Sequence, residues 1–141
     1  MQADHQDTKR SLEGAPACIM RGKVSAGIGE GQFYISKDGY KRQFRAILGF
    51  EPFPGTMNVR LDTLFVPPEQ KAIRIKGFQD EDRTFGECRC YKIKLNGIDA
   101  AVVRPERSNY PADLIEVIAP VNLRKALVLE DGDLVEVTLF D

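Results

Sequence analysis

Residues 87–103, ECRCYKIKLNGIDAAVV, indicate most clearly how this chain folds. From Tyr91 to Leu95 apolar and polar residues alternate, which is the two-residue period of a half-buried strand. Asn96-Gly97 follows, and this dipeptide favours a two-residue hairpin turn because both central positions of that turn need positive φ. The pattern predicts a β-hairpin with strands at residues 87–95 and 98–103.

Further strand-like runs lie on both sides of this hairpin, separated by turns that contain glycine or proline. We predict strands at residues 18–25, 32–36, 73–75, 114–119 and 134–140, and one at the end of the turn-rich segment 50–61. About seven short strands, with no alternation of strands and helices and no internal repeat, predict a closed or nearly closed barrel.

Two short helices accompany the strands. Phe44, Ile47 and Leu48 recur at helical spacing, and Gly49 is placed to end that helix. The leucines of NLRKAL, residues 122–127, suit a second one. The predicted fold class is therefore mainly β, a small barrel with one or two short helices.

Composition and charge limit the possible functions. The length of 141 residues suits one domain. A net charge of −1 and a pI near 5.9 provide no basic field that would attract nucleic acid or an anionic membrane. No apolar run approaches the roughly 20 residues that cross a bilayer, and residues 1–17 contain no signal-peptide stretch. We expect a poorly ordered polar tail at residues 1–17, one domain at residues 18–141 and a cytoplasmic location.

The three cysteines, Cys18, Cys88 and Cys90, favour a structural role. Cys88 and Cys90 lie two residues apart on a predicted strand and therefore face the same side, where small apolar cysteines are common. A zinc site would need more ligands, and the only histidine, His5, lies in the polar tail.

A glycine-rich segment is the first candidate site. Glycines at alternate positions allow positive φ and let backbone N–H groups approach a phosphate chain. A plain turn between strands is the alternative, because the segment is neither a Walker A loop nor a dinucleotide-binding fingerprint. Its residues are Gly27, Ile28, Gly29, Glu30 and Gly31.

Thr56 and Asn58, in the segment PGTMN, form the second candidate site. Residues two apart on an extended segment face the same way, so their hydroxyl and amide oxygens would point into one space. Mg²⁺ prefers such hard oxygen ligands and completes its shell with water and substrate phosphates. The alternative is that both side chains only fix the turn that follows Pro54-Gly55.

Ser108, Glu116 and Arg124 form the third group of candidates. A glutamate within the apolar run LIEVIAP needs a partner or an exposed position, because burying an unpaired carboxylate is costly. A ligand hydroxyl or ring N–H would also satisfy it. Arg124 could bind phosphate bidentately, although arginines on short surface helices are mostly solvated.

Five segments in order resemble the archaeal CTP-dependent riboflavin kinase family, from about Arg21 to Val137. They are GKVSAGIGEGQFYIS, GYKRQFRAILGFEPFPGTMNVRL, RPERSNY, LIEVIAPVNLR and LEDGDLVEV. The resemblance implies a six-stranded cradle-loop barrel that phosphorylates riboflavin to FMN with CTP, giving CDP and using Mg²⁺ or another divalent cation.

The resemblance also implies residue roles. Thr56 and Asn58 would hold the metal, while Ser108 and Glu116 would contact riboflavin or FMN, with Glu116 as the candidate general base. The implied nucleotide-binding residues are Gly27, Ile28, Gly29, Glu30, Gly31, Gln32, Val121, Asn122, Leu123 and Arg124. The chain departs from the family where Met57 replaces the usual leucine and Ser108 the common threonine, and relatives can carry a basic residue at Gln32.

Two other functions remain open on the sequence. A DNA-binding barrel of the related swapped-hairpin class would share the fold, although the charge argues against nucleic acid as a partner. A kinase with the same nucleotide site and another small alcohol as substrate is the second.

Overall fold

The computed structural model describes residues 16–26, 35–105 and 111–140. The strands in these ranges are β1 (Pro16–Ser25), β2 (Met57–Leu61), β3 (Ile73–Ile75), β4 (Phe78–Asp80), β5 (Arg83–Phe85), β6 (Cys88–Leu95), β7 (Ile98–Pro105), β8 (Leu114–Ile118) and β9 (Leu134–Phe140). The helices are α1 (Asp38–Leu48), α2 (Leu123–Ala126) and a 3-10 turn at Glu69–Lys71. The predicted tail falls almost wholly outside the described residues, so it stays a prediction.

Six strands form a closed antiparallel barrel. They pair in the order β6-β7-β8-β2-β1-β9, and β9 pairs again with β6, so the sheet has no free edge within the ring. β3 pairs with residues 88–90 at the start of β6, ahead of the residues of β6 that pair with β9, and β4 and β5 form a separate hairpin. The predicted mainly β barrel with one or two short helices is confirmed.

The barrel interior is filled by apolar side chains at alternate positions of all six strands. β2 supplies Met57, Val59 and Leu61, which lie in one buried cluster with Val117 of β8 and Val137 of β9. Because side chains alternate along a strand, the intervening positions point to the outside of the barrel.

A second apolar core covers part of that outside. Tyr40 and Phe44 of α1 are buried there with Cys88 and Cys90 of β6. A hydrogen bond with Cys88 and burial raise the pKa of the Cys90 thiol well above its usual range, so it stays neutral. The structural interpretation of these two cysteines is confirmed.

Two local backbone features were predicted from the sequence. α1 ends at Gly49, whose φ of 81° is left-handed, and Asn96-Gly97 turns the β6–β7 hairpin with φ of 48° and 86°.

The predicted strand at residues 32–36 is wrong at its described end, where Ile35 and Ser36 lie in helical and turn conformations. Its residues 32–34 lie outside the described ranges. No helix of the described ranges is long and apolar enough to span a bilayer.

Candidate functional site

A cavity of about 140 Å³ lies at the end of the barrel where β8 finishes and β2 begins. We call this end of the barrel the open end. The cavity is lined by Phe53, Gly55, Thr56, Met57, Val117, Ala119, Val121, Asn122, Leu123 and Arg124. It therefore brings the predicted metal ligand Thr56 together with the whole predicted nucleotide segment 121–124.

The segment that precedes β2 is fixed against the end of β8. The Phe53 backbone N–H donates to the Ala119 carbonyl at 2.7 Å. Gly55 then takes a φ of 131°, a backbone conformation that residues other than glycine rarely adopt. Thr56 is thereby placed at the cavity wall, directly before the first residue of β2.

The opposite wall is formed by the start of α2. The Asn122 side-chain oxygen accepts a hydrogen bond from the Lys125 N–H at 3.2 Å and so caps this helix. The Arg124 guanidinium donates to Asp131 at 2.7 Å and to the Ser25 carbonyl at 3.3 Å. Arg124 thus joins this wall to the end of β1, immediately before the glycine-rich segment.

Asn58 and Glu116 are direct neighbours on adjacent strands. Asn58 of β2 lies opposite Ser25 of β1 on one side and Glu116 of β8 on the other. Met57 packs inside the barrel, so alternation directs Asn58 to the outer side, and paired residues on one sheet face bring their Cβ atoms within about 5.5 Å. Neither residue lines the cavity, and Asn58 and Glu116 are the buried polar residues of the described chain.

The Asn58 side-chain amide has no hydrogen bond to any of the described residues, although Asn58 is only 3% exposed. Among the described residues, no fully buried side-chain nitrogen or oxygen is left without a partner. The small exposed area of Asn58 must therefore include its amide, which faces an opening. A nearly buried amide without a hydrogen bond costs free energy. A ligand that bonds to the Asn58 amide would remove this cost, so the amide is available for binding.

A basic group lies near Glu116. Arg104 follows Val103, the residue paired with Glu116 across β7 and β8. Burial lowers the pKa of Arg104, and the charges of Tyr91 and Glu116 partly oppose that lowering. The carboxylate of Glu116 is therefore buried within the electrostatic reach of a cation.

Comparison with known proteins identifies the family. The model of the CTP-dep_RFKase family, described as a domain of unknown function (DUF120), matches residues 24–139. The chain belongs to this family. The resemblance found in the five sequence segments is thus confirmed.

Several curated archaeal proteins are similar to this member of the CTP-dep_RFKase family. The riboflavin kinase of Methanocella arvoryzae is 52% identical over 139 residues, which cover 99% of this chain and 65% of the relative. That of Archaeoglobus fulgidus is 45% identical over 95% of this chain and 60% of the relative. That of Methanosarcina acetivorans is 55% identical over 81% of this chain and 50% of the relative. The chain therefore spans between 50% and 65% of the length of these relatives.

Two groups of predicted site residues lie outside the described ranges of this CTP-dep_RFKase member. They are residues 27–32 of the glycine-rich segment and Ser108. Ser25 and Ala26 end the first described range, and the Ser25 carbonyl accepts a hydrogen bond from Arg124. The roles assigned to these residues stay predictions.

Phe53 is a cavity residue that sequence reasoning missed. The residue is 40% exposed and lines the cavity. The available clue was an aromatic residue between Pro52 and Pro54, which together fix the backbone.

Proposed function

We propose that this chain transfers the γ-phosphate of CTP to the 5′-hydroxyl of riboflavin, giving FMN and CDP. The family name and the names of the similar proteins support this reaction. The observation that carries the proposal is the pairing of Asn58 with Glu116, because it sets an available amide oxygen beside a buried carboxylate. A phosphate donor held at Asn58 would therefore lie next to a hydroxyl group bound at Glu116.

Thr56 and Asn58 are the residues that would hold a divalent cation. The Asn58 amide has no hydrogen-bond partner in the described ranges, and Thr56 stands two residues away at the cavity wall. Both supply the hard oxygen atoms that Mg²⁺ prefers. When bound, Mg²⁺ would neutralise charge on the β- and γ-phosphates.

Glu116 would orient the acceptor alcohol and take its proton. In the transfer the 5′-oxygen forms a bond to the γ-phosphorus. The bond from that phosphorus to the bridging oxygen breaks, and its electron pair leaves with CDP. The hydroxyl proton passes to the carboxylate of Glu116, which is placed by β8 next to Asn58. Positioning of this kind is most of what phosphoryl transfer requires from a protein.

Asn122 offers a reason for a preference for CTP. Its side-chain oxygen is occupied by the Lys125 N–H, so the amide NH₂ is left to donate at the cavity. Cytosine presents two adjacent acceptors, N3 and O2, beside its N4 amino donor, whereas adenine presents a single acceptor, N1, beside its N6 amino donor. A site built for one such hydrogen-bond pattern penalises a base that leaves it unpaired.

The direct test is to incubate the purified chain with riboflavin, Mg²⁺ and either CTP or ATP, and to measure FMN by chromatography. We expect FMN with CTP and much less with ATP. Parallel reactions with pantothenate and pyridoxal test other small alcohols. Phosphorylation of one of these instead of riboflavin would refute the substrate assignment, and absence of any product would refute the kinase.

Substitution of Asn58 tests the metal site. Asn58→Ala should lower kcat by at least about 100-fold while the free energy of unfolding changes by less than about 1 kcal/mol, since the amide forms no hydrogen bond with the described residues. Asn58→Asp, which keeps an oxygen ligand, is the matched variant and should retain more activity as the Mg²⁺ concentration is raised. Full activity in Asn58→Ala would remove Asn58 from the site.

A further inference from the structure

Phe53 is an exposed aromatic ring with no aromatic or cationic partner in the part of the chain that is described. It forms one wall of the cavity at the open end. An aromatic side chain gains a large free energy from burial. Phe53 is 40% exposed beside a cavity and therefore offers apolar surface that a bound ligand can cover.

The backbone that carries Phe53 is held in place without its ring. Pro52 is buried, Pro54 restricts the backbone of Phe53 because Phe53 is the residue before it, and the Phe53 N–H donates to the Ala119 carbonyl at 2.7 Å. The backbone position of Phe53 thus does not depend on packing of its ring. A ligand that stacks on it would meet a preorganised surface, which lowers the entropy cost of binding.

The cavity has the size and lining for a single flat ring. Its volume of about 140 Å³ is well below the roughly 300–1,000 Å³ of pockets that enclose a whole small ligand. Met57, Val117 and Leu123 supply an apolar lining, and Asn122 adds a polar group. One ring can enter while the rest of the molecule extends out of the cavity, past Thr56 at its wall.

We propose that Phe53 stacks on the nucleobase of the phosphate donor and thereby positions the nucleotide. The proposal rests on the kinase function proposed above. The nucleobase is favoured over the flavin because the three fused rings of a flavin exceed this cavity. Glu116, the predicted flavin contact, also does not line it.

Substitutions of Phe53 test this role by separating KM from kcat. In Phe53→Ala we expect the KM for CTP to rise about ten-fold, the effect of losing one base–aromatic stack. The kcat and the KM for riboflavin should change less than about two-fold. Phe53→Tyr should restore the KM for CTP because it keeps the ring, and Phe53→Leu should not.

Two further measurements complete the test. The dissociation constant of CDP, measured by calorimetry, should rise in parallel with the KM in Phe53→Ala. The ratio of activities with CTP and ATP should fall, because a cavity that fits one ring accommodates cytosine better than the two fused rings of adenine, so CTP loses more of the stack. Leu64→Ala is the control, since Leu64 is 63% exposed but does not line the cavity; it should leave both constants unchanged.

The possible failures are distinguishable. A wild-type chain that makes no FMN refutes the proposed kinase function on which this inference rests. If the wild type is active and Phe53→Ala has an unchanged KM for CTP, the stacking role alone is wrong. A rise in the KM for riboflavin without one for CTP would assign Phe53 to the flavin, which also overturns the proposal.

Discussion

Two phenylalanines at opposite ends of β8 are used in opposite ways. Phe65 donates its backbone N–H to Ala112, before β8 begins, and Phe53 donates to Ala119, after it finishes. Phe65 is only 6% exposed, whereas Phe53 is 40% exposed. The two ends of the barrel thus anchor an aromatic residue to the same strand in the same manner, but only one end buries the ring.

The difference lies in what surrounds each ring. The Phe65 ring packs edge-to-face on Tyr91 with centroids 5.4 Å apart, and the Arg104 guanidinium lies 5.4 Å above it. At the open end the ring of Phe53 borders a cavity instead. We call the end at Phe65 the closed end. The comparison teaches that the closed end contributes stability, while the open end leaves apolar surface available for a ligand.

Truncation of the two phenylalanine rings should give the largest difference in stability between the two ends of the barrel. Phe65→Ala should lower the free energy of unfolding by about 3–5 kcal/mol, because a buried aromatic leaves a cavity. Phe53→Ala, the matched variant, should lower it by less than about 1 kcal/mol, since its ring is already partly hydrated. Urea unfolding measures both. Equal losses would show that the open end is as well packed as the closed end.

Substitutions of Asn122 should distinguish its contribution to stability from its contribution to recognition of the nucleobase. Asn122→Ala should cost about 1 kcal/mol of stability through loss of the α2 cap, and Asn122→Ser, which keeps a capping oxygen, only a few tenths. Both variants lack the amide donor, so both should reduce the preference for CTP over ATP. Thermal unfolding and the ratio of kcat/KM values check the two effects. An unchanged ratio in both would remove Asn122 from base recognition.

Val128 should produce the smallest effect. It has a φ of 53° and is 84% exposed just after α2, so a β-branched residue occupies a left-handed position without compensating burial. Val128→Gly should raise the free energy of unfolding by about 0.5–1 kcal/mol, because relief of strain exceeds the entropy cost of glycine. Val128→Ala retains Cβ and should change it little. Destabilisation by glycine would show that the position is not strained.

The candidate site was predictable only in part. Thr56, Glu116 and residues 121–124 were predicted from the chemistry of their side chains and from the family resemblance, and the structure places Thr56 and residues 121–124 around one cavity. The pairing of Asn58 with Glu116 and the exposure of Phe53 were not predicted, because each depends on residues distant in sequence. The short β4–β5 hairpin was also missed, since Glu81 turns it with a φ of 56° and no glycine or asparagine stands there.

The sequence alone determined the features that depend on neighbouring residues. Gly49 ends α1, Asn96-Gly97 turns the β6–β7 hairpin, and alternation marks β9, because φ preferences and side-chain direction act within a few residues. Only the tertiary structure decided the closure of β6 on β9, the second core beneath α1 and the contrast between Phe53 and Phe65. Those features require hydrogen bonds and packing between distant segments, and no local pattern specifies which segments will meet.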